Sequence, residues 1–443
     1  MVLSWGRIHR FDHSAFRLSP GGEAGQAAGL LKTSETPLIA HGLGRSYGDV
    51  GLNEGGGLIL TSRLNHFLSA DWTTGVIRAA AGLSSEELLR VCVPRGWFLP
   101  VSPGTKFVTL GGAVANDVHG KNHHRAGSFG AHVHRIGLLR SDRGPITCSR
   151  DENADLFALT LGGLGLTGFI LWVEIQLSPI RSAYLDVENL ACRSLEDFFR
   201  LSAESDAWPY TVMWVDCFAK GRSLGRGIFT RGRPRRDLDM TVHGQKTVAW
   251  PVTTPGFLLN RMTISAFNML YRQRPAARYA GPQHYDPFFY PLDRIRGWNR
   301  MYGSRGFYQH QSLIPYAEAE AGIAELLGRI ARGGQGSFLA VLKVHGEESS
   351  PGVMSFCRPG KGVSLALDFA NRGKSTRGLL SDLDLIVRKR GGRLYPAKDA
   401  HMAADFFQES YPDWRRLEDA RDPALSSSFW RRVTQASGAK PPT

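Results

Sequence analysis

The sequence predicts a two-domain chain of alternating helices and strands, with the first domain folded around a phosphate-bearing ligand. Three observations carry this. At 443 residues the chain is too long for one ordinary core. Its first 170 residues hold three glycine-rich turns, each beside a short apolar run. After Ser178-Pro179 the glycine density falls and the texture changes, which puts a domain boundary near Ile180 to Tyr184.

The elements follow in order, without internal repeats. Short apolar, β-rich runs predict strands at Pro37 to Ala40, Leu58 to Thr61, Gly75 to Ala80 and Phe169 to Leu177. Ser84 with Glu87 three residues on has capping-box spacing. Leu88, Leu89, Val91 and Cys92 then share a face of a helix that stops near Pro94 and Gly96. In the second part, strands are predicted at Tyr210 to Phe218, Tyr308 to Ile314, Ser337 to Val344 and Val363 to Phe369. Alternation in LKVHG and SLALDFA would let Lys343 or Ser364 project from a sheet face toward a pocket. Helices are predicted over Ala317 to Arg332 and Thr376 to Arg390, the second ending at Gly391-Gly392.

The densest chemistry lies at Pro103 to Gly130, PGTKFVTLGGAVANDVHGKNHHRAGSFG, with six glycines and three histidines. Glycine lets main-chain N–H groups approach a phosphate, and a helix starting near Gly112 would point its positive end at that anion. An ordinary glycine-rich loop would read the same way on these residues alone. LGGLGLTG at Leu161 to Gly168 and HGLGRSYGD at His41 to Asp49 favour one large phosphate-bearing cofactor touched by several loops. Five of the fourteen histidines fall between His119 and His134, yet their spacing repeats no ligand pattern, and only Asp117 could add a carboxylate. No metal is expected.

Composition, 42% hydrophobic and 10% aromatic, is that of a folded soluble protein. No window reaches the roughly 18 apolar residues of a membrane span, and the first residues lack a signal-peptide core, so a cytoplasmic protein is expected. Cys92, Cys148, Cys192, Cys217 and Cys357 are far apart and read as buried thiols. The formal net charge is +14, and Lys220 to Arg236 holds seven basic residues and no acidic one. The apolar, aromatic stretch Thr247 to Arg272 follows, where Pro251, Pro255, Gly256 and Arg261 forbid a spanning helix. Basic then apolar is the order of a segment resting on an anionic membrane surface. A solvated loop is the plainer alternative. Nucleic acid is not expected as a partner, because no recognisable nucleic-acid module accompanies the patch.

HGLGRSYGDVGLN, VSPGTKFVTLGGAVANDVHGKNHHRAGSFG, LGGLGLTG, FYPLD, GFYQHQSLIP and GGRLYPAKDAH together resemble the decaprenylphosphoryl-β-D-ribose 2′-oxidases, flavoenzymes of the vanillyl-alcohol-oxidase type. The resemblance runs from about Trp5 to the last fifty residues and is weak around Lys220 to Tyr279. It implies an α+β fold: a two-part FAD-binding domain of the PCMH type, residues 1–183 and 393–443, with an inserted α+β substrate domain, residues 184–392, built on an antiparallel sheet. The implied activity is oxidation of the 2′-hydroxyl of a polyprenylphosphoryl-β-D-ribose. This is the first half of epimerisation to the arabinose compound, and a separate NAD(P)H-dependent keto-reductase would complete it. The place implied is the cytoplasm, peripheral at the inner face of the plasma membrane.

Residues matching the family's flavin loops are Gly42, Leu43, Gly44, Arg45, Ser46, Tyr47 and Gly48 in the first turn. In the second they are Pro103, Gly104, Thr105, Thr109, Gly111, Gly112, Ala113 and Asn116, then His119, Gly120, Asn122 and Ser128, with Gly168 in the third. Relatives in the wider superfamily attach FAD through a histidine in the first loop. Arg45 stands at that place and His41 lies four residues earlier, so noncovalent FAD is expected.

Alcohol oxidation asks for loss of a hydroxyl proton while a hydride leaves for flavin N5, and the reduced flavin carries negative charge near N1. Lys398, in YPAKD, matches the lysine the family places beside flavin and substrate; without the motif it would read as a surface lysine. The resemblance gives Tyr47 and His119 to sugar binding or proton handling, and Gln309 and Gln311 to substrate hydroxyls. Tyr290, Trp214, Lys343, Ser364 and Lys121 complete the implied pocket, with Lys343 suited to the substrate phosphate. The mycobacterial members carry a cysteine where this chain has Ala366. Oxidation needs no nucleophile there, so catalysis should survive while covalent capture by nitroaromatic inhibitors should not. A sugar-lactone or alditol oxidase acting on a soluble substrate is the rival reading, and the Lys220 to Arg272 segment argues against it.

Overall fold

A computed structural model describes residues 1–242, 247–357 and 359–434. The part of the Lys220 to Arg272 segment at 243–246, and residues 435–443 of the expected C-terminal return, lie outside the described residues.

Two sheets of three and five strands, with a two-stranded pair of Trp97–Phe98 and Ser178–Pro179, occupy the first 180 residues. One is parallel, in the order Ser14–Arg17, Gly57–Leu60, Leu38–His41. Its middle strand GLIL is buried almost throughout, as expected of a strand covered on both faces. The other is antiparallel, in the order Phe67–Asp71, Val76–Ala80, Phe169–Gln176, Val133–Arg140, Gly144–Ser149. The helix Ser85–Cys92 packs beside it. Its capping box is formed as the spacing predicts: the Glu87 amide donates to Ser84 Oγ at 3.1 Å, and the Ser84 amide to Glu87 Oε2 at 2.9 Å.

Strand pairing changes partner sheet across 180–184. Ser178–Pro179 still pairs with Trp97–Phe98, whereas Tyr184–Cys192 enters an eight-stranded antiparallel sheet. That sheet runs Ala280–His284, Tyr184–Cys192, Gly227–Pro234, Tyr210–Val215, Ala340–His345, Gly362–Ala370, Phe307–Pro315, Arg393–Leu394. Arg393 and Leu394 therefore still belong to the large sheet, two residues beyond the expected boundary at 393. Strand alternation gives the sheet two different faces. Met213, Leu342, Leu365 and Leu367 point into a core with Ile323, Leu326, Leu327 and Ile330 of helix Tyr316–Gly333, and with Leu379, Leu380, Leu383 and Val387 of helix Lys374–Lys389. Gln309, Gln311, Val341, Lys343, Ser364 and Ala366 point the other way, into a cavity.

The chain end returns to the beginning. The Leu38 amide donates to the Ala424 carbonyl at 2.8 Å and the Ser426 amide to the Leu38 carbonyl at 2.9 Å. Arg432, on helix Ser428–Thr434, bridges Asp49 at 2.8 Å and Asp399 at 2.9 Å, tying the first glycine turn to the segment that carries Lys398.

The basic run is neither a loop nor a bare patch. Its middle is the strand Gly227–Pro234, and four of its arginines face acids: Arg226 with Asp216, Arg231 with Glu188, Arg233 with Asp186, and Arg235 with Asp186 and Asp237. The acids come from neighbouring segments, so the run's own composition hides the pairing. The apolar half differs. Helix Arg261–Gln273 leaves Met262 81% and Leu270 64% exposed. No helix among the described residues is long and apolar enough to cross a membrane.

Candidate active site

A cavity of about 1270 Å³ lies between the glycine turns and the large sheet. Every residue expected at flavin or substrate lines it except Ala113, Asn122, Ser128 and Tyr290. Ala113 belongs to the hydrophobic core. Asn122 donates to the Pro100 carbonyl at 2.7 Å, and Ser128 is fully buried beside the backbone bridge it forms with His119. Tyr290 is turned inward, its hydroxyl bonded to Ser102.

The backbone wall fits an anionic cofactor, though by a different route from the one the helix suggests. Helix Leu110–Ala115 does begin here, but its first amides are used inside the protein: Leu110 to the Leu83 carbonyl, Gly111 to Ala81, Gly112 to Thr109 Oγ1. The free donors lie in the first turn instead. Among the described residues none accepts from the amides of Leu43, Gly44, Arg45 and Ser46, where Gly44 takes the left-handed φ of +63°. Consecutive free amides make an anion nest. Asn116 donates to the Gly112 carbonyl at 2.9 Å but leaves its buried Oδ1 without a partner at the cavity, and a Cβ on Gly104 would meet nothing within 4 Å. These groups suit a dinucleotide. Arg45 stacks over Trp5 at 4.2 Å, and His41 holds the Gly51 carbonyl through Nδ1 at 2.7 Å.

The side-chain wall is cationic. Lys398 stands over the Tyr47 ring at 4.0 Å. Its segment is pinned by the Tyr395 amide to the Gln311 carbonyl, the Tyr47 amide to the Ala397 carbonyl, and the Tyr395 hydroxyl to the Asn116 carbonyl. Burial lowers Lys398 to about 8, against the opposing pull of Asp368. Asp368, fully buried, is raised to about 7 by desolvation; it accepts from Gln309 Nε2 at 2.6 Å and from the Tyr302 hydroxyl at 3.2 Å. Lys121 donates to the Phe289 carbonyl at 3.1 Å and is lowered to about 8 by burial. Trp214 donates to the Phe338 carbonyl at 2.9 Å, and Ser364 meets His345 Nε2 at 2.9 Å.

His119 is flanked on both sides. Lys343 Nζ lies 2.5 Å from Nδ1 and donates to the Gly120 carbonyl at 2.6 Å, while the Gln311 amide lies 2.8 Å from Nε2. Burial first, and Lys343 second, hold His119 well below its usual range. A neutral imidazole has one N–H and one lone pair. The Gln311 amide nitrogen faces His119 Nε2 and donates to it, which leaves the ring proton on Nδ1, toward Lys343. Lys343 itself is lowered to about 7 by burial. No cysteine is among the described residues lining the cavity, and Ala366 lies on its wall.

Sequence reasoning misses Asp368, Tyr302, Tyr395 and Arg432. Asp368 is reached only through strand register, which sets it opposite Gln309; Arg432 acts through a contact 383 residues away in the chain.

Comparison with known proteins agrees with the site. A family model for an FAD binding domain matches residues 23–149. The chain is an FAD-dependent oxidoreductase with an α+β, PCMH-type fold. It is 35% identical over 414 residues to a decaprenylphosphoryl-β-D-ribose oxidase of Mycolicibacterium smegmatis, covering 89% of each chain. It is 30% identical over 373 residues to an uncharacterised Streptomyces coelicolor protein, covering 79% of this chain and 100% of that one. A Delta(24)-sterol reductase of Rattus norvegicus is 26% identical over 133 residues, 30% of this chain and 26% of its own length. The chain belongs to the decaprenylphosphoryl-β-D-ribose oxidase family.

Proposed function

We propose that the protein oxidises the 2′-hydroxyl of a polyprenylphosphoryl-β-D-ribose to the 2′-keto sugar, with FAD held noncovalently. The observation that carries this reading is the convergence of three lysines, buried Lys343 and half-buried Lys121 and Lys398, on one cavity with an anion nest. Such an array suits a substrate bearing a phosphate beside the alcohol to be oxidised.

Residues 1–183 and 395–434 form the flavin part and 184–394 the substrate part. The amides of Leu43 to Ser46, the glycines of the second turn and Asn116 hold the cofactor. When bound, FAD accepts the hydride from the carbinol carbon. Lys398, with a fraction of free amine near neutrality, takes the hydroxyl proton and as ammonium offsets the negative charge that oxidation leaves nearby. Tyr47 remains a phenol, because burial raises it well above its usual value. It and the neutral His119 orient the sugar, with Gln311, Gln309, Trp214 and Ser364 around its hydroxyls. Lys343 and Lys121 hold the phosphate. Arg45, stacked on Trp5, and His41, whose Nδ1 bonds the Gly51 carbonyl, support noncovalent binding.

Helix Arg261–Gln273 supports a polyprenyl substrate and peripheral contact with the inner face of the plasma membrane. Tyr271 lies at the cavity while Met262 and Leu270 face outward. The keto product calls for a separate NAD(P)H-dependent reductase. The test is turnover of polyprenylphosphoryl-ribose with an artificial electron acceptor, giving a product lighter by one pair of hydrogens; turnover of free lactones or alditols alone would favour the soluble-substrate oxidase. Acid precipitation should leave the FAD in the supernatant, and yellow colour in the pellet would contradict noncovalent binding.

A further inference from the structure

Behind the part of the cavity wall formed by His119 and Ser364, three ligand-type side chains meet that the mechanism does not use. His123 comes from the short helix His123–Ala126, His345 ends the strand Ala340–His345, and Cys357 precedes the strand Gly362–Ala370. One imidazole nitrogen from each histidine and the Cys357 sulphur lie within 4.8 Å of one another. The residues are 0%, 1% and 1% exposed, and the two rings sit 4.4 Å apart. Among the described residues, neither nitrogen of His123 has a hydrogen-bond partner, and neither does Nδ1 of His345. Buried polar atoms are ordinarily hydrogen-bonded, so an unpartnered nitrogen on each of two adjoining imidazoles calls for an occupant.

We propose that His123, His345 and Cys357 bind a divalent transition-metal ion of the zinc class, at a site distinct from the flavin and sugar cavity. Two imidazoles and a thiolate are a zinc donor set, and tetrahedral geometry puts such donors about 3.3–3.7 Å apart, so the three groups need to close by about 1 Å. Ser364 Oγ, 2.9 Å from His345 Nε2, can accept an Nε2–H and so leave the lone pair of Nδ1 for the metal, the usual second-contact arrangement of a metal-bound histidine.

Binding forms one metal–sulphur and two metal–nitrogen bonds and releases the Cys357 thiol proton to solvent, with no change of oxidation state. The ion would brace the wall that carries Lys343, two residues from His345. Only His123 belongs to the histidine run of the sequence, which is why that run's spacing points away from a metal.

The test is the zinc content of untagged holoenzyme, by plasma mass spectrometry, after purification from zinc-supplemented cells and desalting. About one zinc per chain is expected, falling to less than about a tenth in Cys357→Ser and in His345→Phe at unchanged flavin content. Wild-type protein that neither carries zinc nor takes it up from added Zn²⁺ would overturn the proposal, as would variants that keep their zinc. Zinc-edge X-ray absorption on the wild type needs no variant. A shell with one sulphur among nitrogens is expected, and a shell without sulphur would refute the site.

Discussion

The two walls of the cavity are built by opposite means. The glycine-turn wall is backbone: free amides of Leu43 to Ser46, an orphaned Asn116 oxygen, and open space over Gly104. The sheet wall is side chain: Lys343, Gln309, Gln311, Ser364 and Ala366 on alternating strand positions, with Lys398 brought in from the far end of the chain. Backbone can hold a cofactor of fixed shape, whereas charged side chains of tuned pKa can move a proton and select a substrate. The division of labour therefore follows from the materials of the walls.

Changes on one wall should leave the function of the other intact. The largest effect is expected from Lys398→Met, which should slow flavin reduction by about 10²- to 10⁴-fold, the range for loss of a positioned proton-transfer group, at full flavin content. A variant that loses its flavin instead would erase the distinction. On the backbone wall, a side chain at Gly104 enters cavity rather than protein. Gly104→Leu should thus weaken FAD binding by about 5- to 150-fold, corresponding to about 1–3 kcal/mol of overpacking, with the melting temperature of the apoprotein unchanged. Lys343→Gln should raise KM for the phosphorylated substrate by about tenfold, the scale of one charge-assisted hydrogen bond, and leave flavin content alone; an equal loss with an unphosphorylated analogue would remove its phosphate role. The smallest effect is on pH. Because burial lowers Lys398 to about 8, its free-amine fraction grows as pH rises, so the reductive rate should climb through about pH 8 and level above it. A rate that falls over that interval would contradict its role as proton acceptor.

The two walls also differ in how far they can be read from sequence. HGLGRSYGD and the second glycine run are local, and so is the Ser84–Glu87 capping box, whose partners lie within one helical turn. The amide donors were misplaced even so, because Thr109 and the carbonyls of Ala81 and Leu83 occupy the helix amides. The sheet wall depends on register between distant strands. Alternation shows that Lys343 and Ser364 can project from a sheet, but not that they face each other, nor that Asp368 stands opposite Gln309. Tyr290 sits in a motif beside the site and yet turns into the interior to meet Ser102. Likewise, the basic run reads as a patch only until acids from Tyr184–Cys192 and Asp216 are set beside its arginines.

The central claim is that a flavin held by the backbone wall is reduced by a phosphorylated sugar placed by the side-chain wall. Anaerobic bleaching of the holoenzyme tests it most directly, with polyprenylphosphoryl-ribose compared against free ribose and sugar lactones. The flavin absorbance should bleach rapidly with the phosphorylated lipid sugar and hardly at all with the others; rapid bleaching by a free lactone, with none by the lipid substrate, would contradict the account.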